Sequence, residues 1–254
     1  MKKTVFITGA TSGFGKACAI RFVNEGWRLI LAARRKERLQ ELQRELEKKE
    51  PVHIITMDVR HQKAVRAATE NLPDEFKNID VLINNAGLAL GIGPSHEADL
   101  DDWETMVDTN IKGLMYCTHS LLPHMAVRKQ GHIINVGSVA GTWPYPGGNV
   151  YGATKAFVKQ FSNNLRTDLL GTQIRVTNIE PGMAESEFSI VRFKGDSDKA
   201  ARVYEGVQPL TPDDIAEIIY WVANLPPHVN INSLEVMPTN QSLGPYALHR
   251  NKDS

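Results

Sequence analysis

Three polar side chains between residues 138 and 155 have the types and the spacing of an acid–base site. The stretch SVAGTWPYPGGNVYGATK holds Ser138, then Tyr151 thirteen residues later, then Lys155 four residues after that. On a helix, Tyr151 and Lys155 would lie on one face about one turn apart. The apolar run HIINVG at residues 132–137 predicts a buried strand that ends at Ser138. Ligands of open α/β sheets bind at that edge.

These residue types predict proton transfer to an oxygen atom. A phenol, with a pKa near ~10, is a poor acid–base catalyst at neutral pH. An ammonium group one turn away favours the phenolate and lowers that pKa. A hydroxyl at the strand end can donate to a carbonyl oxygen that is gaining negative charge. A tyrosine and a lysine at this spacing are more often a buried ring beside an exposed charge, but Ser138 and the glycine-rich N-terminus favour the catalytic interpretation.

The N-terminus has the pattern of a dinucleotide-binding turn. TVFIT at residues 4–8 predicts a short buried strand, and a helix is predicted to run from the turn to about Asn24. Three glycines with the spacing GxxxGxG connect them: Gly9, Gly13 and Gly15. They would let the backbone approach a pyrophosphate that binds at the helix N-terminus. Thr11 and Ser12 are expected to add hydroxyl contacts.

The end of the second predicted strand indicates which dinucleotide binds. RLILAA at residues 28–33 reads as that strand, and NAD-binding proteins often place an acidic residue near its end to bind the ribose 2′-hydroxyl. Here Ala33 is followed by Arg34 and Arg35, whose guanidinium groups would accept a 2′-phosphate. The sequence therefore predicts NADP(H). The alternative is that both arginines belong to the charged helix predicted over residues 35–50.

Seven motifs together resemble the short-chain dehydrogenase/reductase family, from about residue 4 to residue 240. They are TGATSGFG at 8–15, DV at 58–59, NNAG at 84–87, Asn110, Ser138, YGATK at 151–155 and PG at 181–182. The resemblance implies an α/β fold, a single Rossmann domain with a doubly wound parallel sheet of about seven strands. It also implies reversible hydride transfer between NADP(H) and a carbonyl or alcohol.

The resemblance assigns a role to each catalytic candidate. Ser138 would bind the substrate carbonyl oxygen, and Tyr151 would protonate it. Lys155 would lower the pKa of Tyr151 and hold the nicotinamide ribose, and Asn110 would position a water that leads to Lys155. No metal is expected. The expected cofactor contacts, including an adenine contact from Asp58, are Gly9, Thr11, Ser12, Gly13, Phe14, Gly15, Arg34, Arg35, Asp58, Val59, Asn85, Ala86, Gly87, Tyr151, Lys155, Pro181, Gly182, Met183 and Ser186.

Four further segments resemble one branch of the family, which contains 3-hydroxy acid (serine, malonic semialdehyde) dehydrogenases and sulfoacetaldehyde reductases. They are NAGLALG at 85–91, GTWPYPGGNVYGATKAF at 141–157, RFKGD at 192–196 and LPPHVNINSLEVMP at 225–238. The resemblance implies a small anionic aldehyde or its alcohol as substrate. Ser138 and Tyr151 would contact its oxygen, and Arg192 or Arg250 would supply the cation that its anionic group requires.

Within this branch the sequence favours reduction of sulfoacetaldehyde to isethionate, because the loop at residues 183–187 is one residue shorter than we expect for the 3-hydroxy acid enzymes. An NADP-dependent 3-hydroxy acid dehydrogenase is the alternative. A non-catalytic NADP-sensing scaffold is a remote third hypothesis, and the intact Ser138, Tyr151 and Lys155 argue against it.

Composition predicts one domain over residues 1–254. The resemblance implies that residues 186–210 form a lid over the substrate, and residues 239–254 are expected to form a C-terminal tail. The chain is 42% hydrophobic, and its 29 Lys and Arg balance its 29 Asp and Glu, so nothing indicates a nucleic acid or membrane partner. We expect no signal peptide, a cytoplasmic location, and buried thiols at Cys18 and Cys117. By resemblance, the helices predicted at 101–128 and 151–170 pair across subunits, which implies a homotetramer.

Overall fold

The structure, a computed structural model, describes residues 2–244, Leu248 and Arg250. It contains a parallel sheet of seven strands in the order β3-β2-β1-β4-β5-β6-β7. The strands are β1 (Thr4–Thr8), β2 (Arg28–Ala33), β3 (Val52–Thr56), β4 (Val81–Asn84), β5 (Gly131–Val136), β6 (Ile174–Pro181) and β7 (Ser233–Val236). The predicted doubly wound parallel sheet is confirmed, and the strands predicted at residues 4–8, 28–33 and 132–137 lie within one residue of their observed bounds.

Helices cover both faces of the sheet. They are α1 (Gly13–Asn24), α2 (Lys36–Leu46), α3 (Gln62–Glu70), α4 (Leu100–Val107), α5 (Leu114–Arg128), α6 (Asn149–Asp168), α7 (Glu187–Arg192), α8 (Ser197–Arg202) and α9 (Pro212–Asn224). Alternate residues of β1 enter different cores. Val5 and Ile7 pack with α1, α2 and α9, while Phe6 packs on the opposite face with α3, α5 and α6. A strand buried on both faces needs a continuous apolar sequence, as TVFIT provides.

The direction of winding reverses between β1 and β4, which are neighbours in the sheet although β2 and β3 intervene in the chain. Loops that leave adjacent strands on either side of such a switch diverge and open a crevice at the carboxyl edge. The glycine turn leaves β1 there, NNAG leaves β4, and Ser138 follows β5. Three motifs that are far apart in sequence therefore meet at one edge.

Two helical predictions differ from the structure. The single helix predicted over residues 101–128 is divided into α4 and α5 by a π-helical segment, Asp108–Gly113, which contains Asn110. Wider turns of this kind occur often at functional sites. The lid, in which the sequence shows no clear helical period, contains α7 and α8, whose first turns are capped by the side chains of Ser186 and Asp196. Helices of six residues are too short to show a clear period in sequence.

Both cysteines are buried, as predicted, and burial raises the pKa of the Cys18 and Cys117 thiols to about 12. Among the helices of the described residues, none has the length and apolar character needed to cross a membrane. The same part of the chain contains no group of three or more His, Cys, Asp or Glu side chains that could hold a metal ion.

Candidate active site

A cavity follows the carboxyl edge of the sheet and brings together most of the predicted site residues. Those that line it are Gly9, Thr11, Ser12, Gly13, Phe14, Arg34, Arg35, Asp58, Val59, Asn85, Ala86, Gly87, Ser138, Tyr151, Lys155, Pro181, Gly182, Met183, Ser186 and Arg192. Three predicted residues, Gly15, Asn110 and Arg250, do not line it. The first two lie directly behind the lining, and Arg250 is described below.

The glycine turn forms a backbone cradle that larger residues would fill. Gly9 and Gly13 have positive φ angles of 66° and 49°, which glycine adopts without steric cost. A Cβ atom on Gly9 would lie 3.0 Å from the Cα of Ala86, and one on Gly15 would lie 2.4 Å from the Gly9 carbonyl oxygen. The Ser12 side chain does not cap α1, so the first N–H groups of this helix remain suited to an anion. The cradle therefore fits a pyrophosphate.

Asn85 braces this cradle from the neighbouring strand. Its side-chain nitrogen donates to the carbonyl oxygens of Thr8 at 2.9 Å and Gly9 at 3.2 Å, and its backbone N–H donates to Thr8 Oγ1 at 3.0 Å. The Asn85 side chain therefore ties the end of β4 to the end of β1.

The two arginines expected to bind a 2′-phosphate follow β2 at the carboxyl edge of the sheet. Arg34 lines the cavity, while Arg35 donates through Nε and Nη2 to Thr11 Oγ1 at 3.3 and 3.1 Å. Arg35 also forms an ion pair with Glu187, Nη1 to Oε2, at 3.1 Å. Glu187 was missed by the sequence analysis, because nothing in the sequence links position 35 to position 187. The two arginines fit a 2′-phosphate.

Asp58, the predicted adenine contact, is held by a neighbour. Arg60 donates to its carboxylate through Nε at 3.0 Å and Nη2 at 2.7 Å. Burial raises the pKa of Asp58, but the hydrogen bonds and charge of Arg60 outweigh this effect and lower it below its ordinary value. The carboxylate is therefore ionised and fixed at the rim of the cavity, beside Val59.

The predicted acid–base group assembles where β5 meets α6. Ser138 follows β5, where its Oγ accepts from the Ala140 N–H at 3.1 Å and donates to the Pro181 carbonyl at 3.4 Å. Tyr151 lies in the first turn of α6, and Lys155 follows one turn later; both side chains are buried. The Lys155 Nζ lies 5.8 Å from the centre of the Tyr151 ring.

Lys155 is a buried cation. Its Nζ donates to the Val136 carbonyl oxygen at 2.8 Å, and burial lowers its pKa to about 8. Removal from water penalises the charged form of an amine, which explains the direction of this shift. A nearby negative charge would restore the charged form, so this ammonium group is suited to stabilise an anion formed in the cavity.

Asn110 joins the π-helical segment to the site. Its Oδ1 accepts from the Leu88 N–H at 2.9 Å, and its Nδ2 donates to the Leu88 carbonyl at 2.8 Å and to Thr154 Oγ1 at 3.0 Å. Both amide hydrogens are therefore used. A water bound here would need the second lone pair of Oδ1 or the backbone carbonyl. Gly87 leaves room for it, since a Cβ there would lie 3.3 Å from Oδ1 and 3.5 Å from Lys155 Nζ.

The lid places Arg192 above the tyrosine. The guanidinium carbon of Arg192 lies 5.5 Å from the centre of the Tyr151 ring, 5.4 Å from that of Tyr145 and 5.8 Å from that of Phe188. Arg192 also donates a hydrogen bond to the Tyr145 hydroxyl. Sequence reasoning missed Tyr145. Its place in the aromatic, proline- and glycine-rich loop before Tyr151 is the signal that could have found it.

Arg250, the other predicted anion contact, does not line the cavity. Its guanidinium donates to the carbonyl oxygens of Glu205 and Val203, the latter at 3.4 Å, at the end of the lid. Val203 does line the cavity, so Arg250 contacts the lid from behind. The other tail residues beyond Gly244, except Leu248, lie outside the described residues.

Comparisons with known proteins agree with this geometry. The model of the short chain dehydrogenase family matches residues 3–196. An NADP-dependent 3-hydroxy acid dehydrogenase, YdfG of Salmonella typhi, is 57% identical over 247 residues, which cover 97% of this chain and 99% of that protein. Sulfoacetaldehyde reductase 2 of Chromohalobacter salexigens is 53% identical over 251 residues, 98% of this chain and 100% of the reductase.

A solved structure shares both fold and sequence. The closed form of serine dehydrogenase complexed with NADP+ superposes with a TM-score of 0.92 at 55% identity, over 98% of this chain and 100% of that one. The family model covers well over half of the chain, and these relatives span nearly all of it. The chain therefore belongs to the short-chain dehydrogenase family.

Proposed function

We propose that this enzyme transfers hydride reversibly between NADP(H) and a small anionic aldehyde or its alcohol. The chain is an NADP-dependent oxidoreductase of its family. The observation that carries the finer proposal is the position of Arg192, a lid cation 5.5 Å from the ring of the proposed proton donor, Tyr151. A small aldehyde has little apolar area, so its recognition must come from charge and hydrogen bonds.

The chain's own residues would bind and orient the cofactor at three points. The glycine cradle and the first turn of α1 hold the pyrophosphate, Arg34 and Arg35 hold the 2′-phosphate, and Lys155 holds the nicotinamide ribose. When bound, NADPH supplies the hydride that the protein cannot provide.

Ser138, Tyr151 and Lys155 would supply the proton chemistry. The 3.4 Å hydrogen bond from Ser138 to Pro181 is long, so the hydroxyl can turn to donate to a substrate carbonyl oxygen instead. Tyr151 gives its proton to that oxygen as negative charge develops. The buried Lys155 ammonium stabilises the phenolate left behind, and the path beside Gly87 and Asn110 leads a replacement proton to it.

Residues 186–210 would form the lid that excludes water during this transfer. In the structure, α7 covers the tyrosine, with Phe188 and Tyr151 rings 5.5 Å apart. Arg192 sits at the end of α7, so the same movement that closes the cavity would bring the cation to the substrate anion.

Two substrates of this class are candidates, and each has an observation in its favour. The higher identity to 3-hydroxy acid dehydrogenases, 57% against 53%, together with the likeness to serine dehydrogenase, favours a 3-hydroxy acid and its semialdehyde. The short loop at residues 183–187 favours sulfoacetaldehyde, the substrate that the sequence analysis prefers. Both require the same cation.

A panel of substrates tests the proposal. NADPH oxidation is measured with malonic semialdehyde, succinic semialdehyde, sulfoacetaldehyde and neutral propionaldehyde, and NADP+ reduction with serine, 3-hydroxypropionate and isethionate. We expect the charged aldehydes to be preferred over propionaldehyde. Equal kcat/KM for charged and neutral aldehydes would contradict the proposed substrate class.

Replacing Arg192 by alanine tests the anion contact itself. A charge-assisted hydrogen bond is worth about 1.5–3 kcal/mol, so kcat/KM for the charged aldehyde should fall roughly ten- to a hundredfold. The value for propionaldehyde should change much less, and Arg192→Lys should recover part of the loss. An equal loss for both aldehydes would mean that Arg192 only packs the lid.

A further inference from the structure

The first residue of the lid helix is tied to the arginines at the opposite end of the cavity. Glu187 begins α7, and its carboxylate pairs with Arg35 at 3.1 Å and with Arg38 at 2.9 Å. Arg35 lies between β2 and α2, and Arg38 lies in the first turn of α2. These ion pairs join segments about 150 residues apart, so they connect the lid to the corner where a 2′-phosphate would bind.

Three of the five N–H groups of Arg35 are used in this arrangement. Its Nε and Nη2 donate to Thr11 Oγ1, and its Nη1 donates to Glu187 Oε2. A phosphate that binds Arg35 through a paired contact, as phosphates commonly do, therefore competes with these two acceptors. The carboxylate is the one to leave, because a phosphomonoester with a charge of about −1.5 to −2 also repels it.

The ion pair is of the kind that exchanges easily. The side chains of Arg35 and Glu187 are 41% and 45% exposed, and pairs this exposed contribute little to stability. Partial burial would raise the pKa of Glu187, but the hydrogen bonds and charges of Arg35 and Arg38 outweigh it and lower that pKa. The carboxylate therefore carries a full charge at neutral pH.

The other end of the lid has contacts that a cofactor would not disturb. Lys194 pairs with Asp102 at 2.9 Å, and the Arg192 carbonyl accepts from the Gly91 N–H at 3.1 Å. Neither Asp102 nor Gly91 lines the cavity. Loss of the Glu187–Arg35 contact would leave the start of α7 with the Arg38 ion pair and the Ser186 cap, and would therefore weaken it while its end remains attached.

We propose that Glu187 is the internal counterion of the 2′-phosphate subsite. When a 2′-phosphate binds Arg35, the Glu187 carboxylate leaves this arginine, so a phosphorylated cofactor alters the lid and an unphosphorylated one does not. The inference rests on the proposed function, since it requires a 2′-phosphate at Arg35. Glu187 thus reduces the affinity for the phosphorylated cofactor and leaves the affinity for an unphosphorylated one unchanged.

Binding of two adenosine probes tests this without any turnover. Adenosine 2′,5′-bisphosphate and 5′-AMP differ only in the 2′-phosphate, and calorimetry gives their affinities for the whole chain. Because an exposed ion pair is worth at most about 1 kcal/mol, Glu187→Gln should bind the bisphosphate about two- to fivefold more tightly. Its affinity for 5′-AMP should not change. Glu185→Gln, a matched change two residues earlier, should behave as wild type.

Hydrogen exchange on the wild-type chain supplies a second measurement that needs no variant. The bisphosphate should speed amide exchange over residues 187–192, and 5′-AMP should not. In Glu187→Gln the same amides should exchange fast without any ligand.

Each outcome separates this inference from the cofactor assignment. Wild-type chain that binds the bisphosphate no better than 5′-AMP would overturn both. If the wild type prefers the bisphosphate, but Glu187→Gln binds it equally or more weakly, or lid exchange is unchanged, only the role of Glu187 is overturned. A Glu187→Gln variant that also gains affinity for 5′-AMP would likewise overturn only the role of Glu187.

Discussion

Lys155 is a buried ammonium group whose charge destabilises the folded state. Its side chain sits between β5 and α6 with a neutral carbonyl oxygen as hydrogen-bond acceptor, and burial lowers its pKa to about 8. Such a cation lowers the stability of the folded chain without cofactor, but it is suited to stabilise a phenolate. The spacing of Tyr151 and Lys155 in the sequence predicted their common face. It could not predict the depth of burial, which depends on the strand underneath.

Because burial of this charge is destabilising, we expect the free energy of unfolding to rise at alkaline pH. In the unfolded chain a lysine has a pKa of roughly 10.4, so between about pH 8 and pH 10.4 the unfolded state binds more protons. Stability due to Lys155 should therefore increase with pH across this window, by about 3 kcal/mol in total at about 1.4 kcal/mol per unit. Below about pH 8 both states are protonated, and the full penalty is present.

Urea unfolding of the cofactor-free chain between about pH 8 and pH 10 measures this effect. Other groups also titrate there, so the comparison is with Lys155→Met, which should lack the Lys155 contribution to the rise. Parallel pH profiles for the two chains would show that Lys155 is not destabilised by burial.

Tyr151→Phe tests the proposed proton donor. The ring remains and keeps its contact with Phe188, while the hydroxyl is lost. We expect kcat to fall at least about a hundredfold, the usual contribution of general acid catalysis, with NADPH binding largely retained. Near-normal turnover in this variant would exclude Tyr151 as the acid.

At the scale of elements, the catalytic helix is held by contacts that its sequence does not reveal. Lys159, one turn beyond Lys155, pairs at 3.0 Å with Glu180, a carboxylate on β6 that is 1% exposed. Thr154 binds Asn110 in the π-helical segment. These bonds fix α6 against the sheet and against α4 and α5. Helical periodicity predicted α6, but it gave no sign of the wider turn at Asn110.

The contacts of the lid likewise could not be predicted from its own sequence. Its position was predicted from resemblance, yet its partners come from four distant segments: Arg35 and Arg38, Gly91 and Asp102, Tyr145, and Arg250. These contacts cannot be predicted from residues 186–210 alone, because each partner residue lies about 45 to 150 residues away in the sequence. Arg192 was expected here because a small anionic substrate requires a cation, whereas nothing in the sequence indicated a role for Glu187.

Arg250→Ala should affect the lid rather than the charge of the substrate. Because Arg250 binds the carbonyl oxygens of Val203 and Glu205 and does not line the cavity, its loss should raise KM for charged and neutral aldehydes by a similar, modest factor. NADPH affinity should be retained. A loss confined to the charged aldehyde would instead support the anion contact expected from the sequence, supplied to a neighbouring subunit.

At the scale of the whole molecule, parallel topology explains why the sequence predicted so much of the site. Every strand of a parallel sheet presents its carboxyl end at one edge, so motifs that follow β1, β4, β5 and β6 had to converge. Convergence places residues near one another but does not assign partners. For this reason the sequence predicted that Asn85 lies at the cofactor site, but not that its side chain donates to the carbonyl oxygens of Thr8 and Gly9.

The outer surface predicts assembly of several chains, as the resemblance implies. Met115 on α5 is 39% exposed, and Phe157 and Phe161 on α6 stack with ring centres 5.6 Å apart at positions that are only partly buried. Trp221 on α9, a helix that packs on the opposite face of the sheet, is 50% exposed. Large apolar side chains left exposed on two faces favour two kinds of subunit contact, as a tetramer with dihedral symmetry requires.

Sedimentation velocity on two charge-introducing variants tests this assembly. Wild-type chain should sediment as a tetramer, and both Met115→Glu and Trp221→Glu should give dimers, because each would remove one of the two contacts. Val127→Glu is the matched control, since Val127 is 87% exposed and lies about 18 Å from Met115 along α5. This variant should remain tetrameric, and unchanged melting temperatures would show that all three variants fold. A tetramer that survives Met115→Glu would exclude α5 as a contact surface, and a wild-type monomer would refute the predicted assembly altogether.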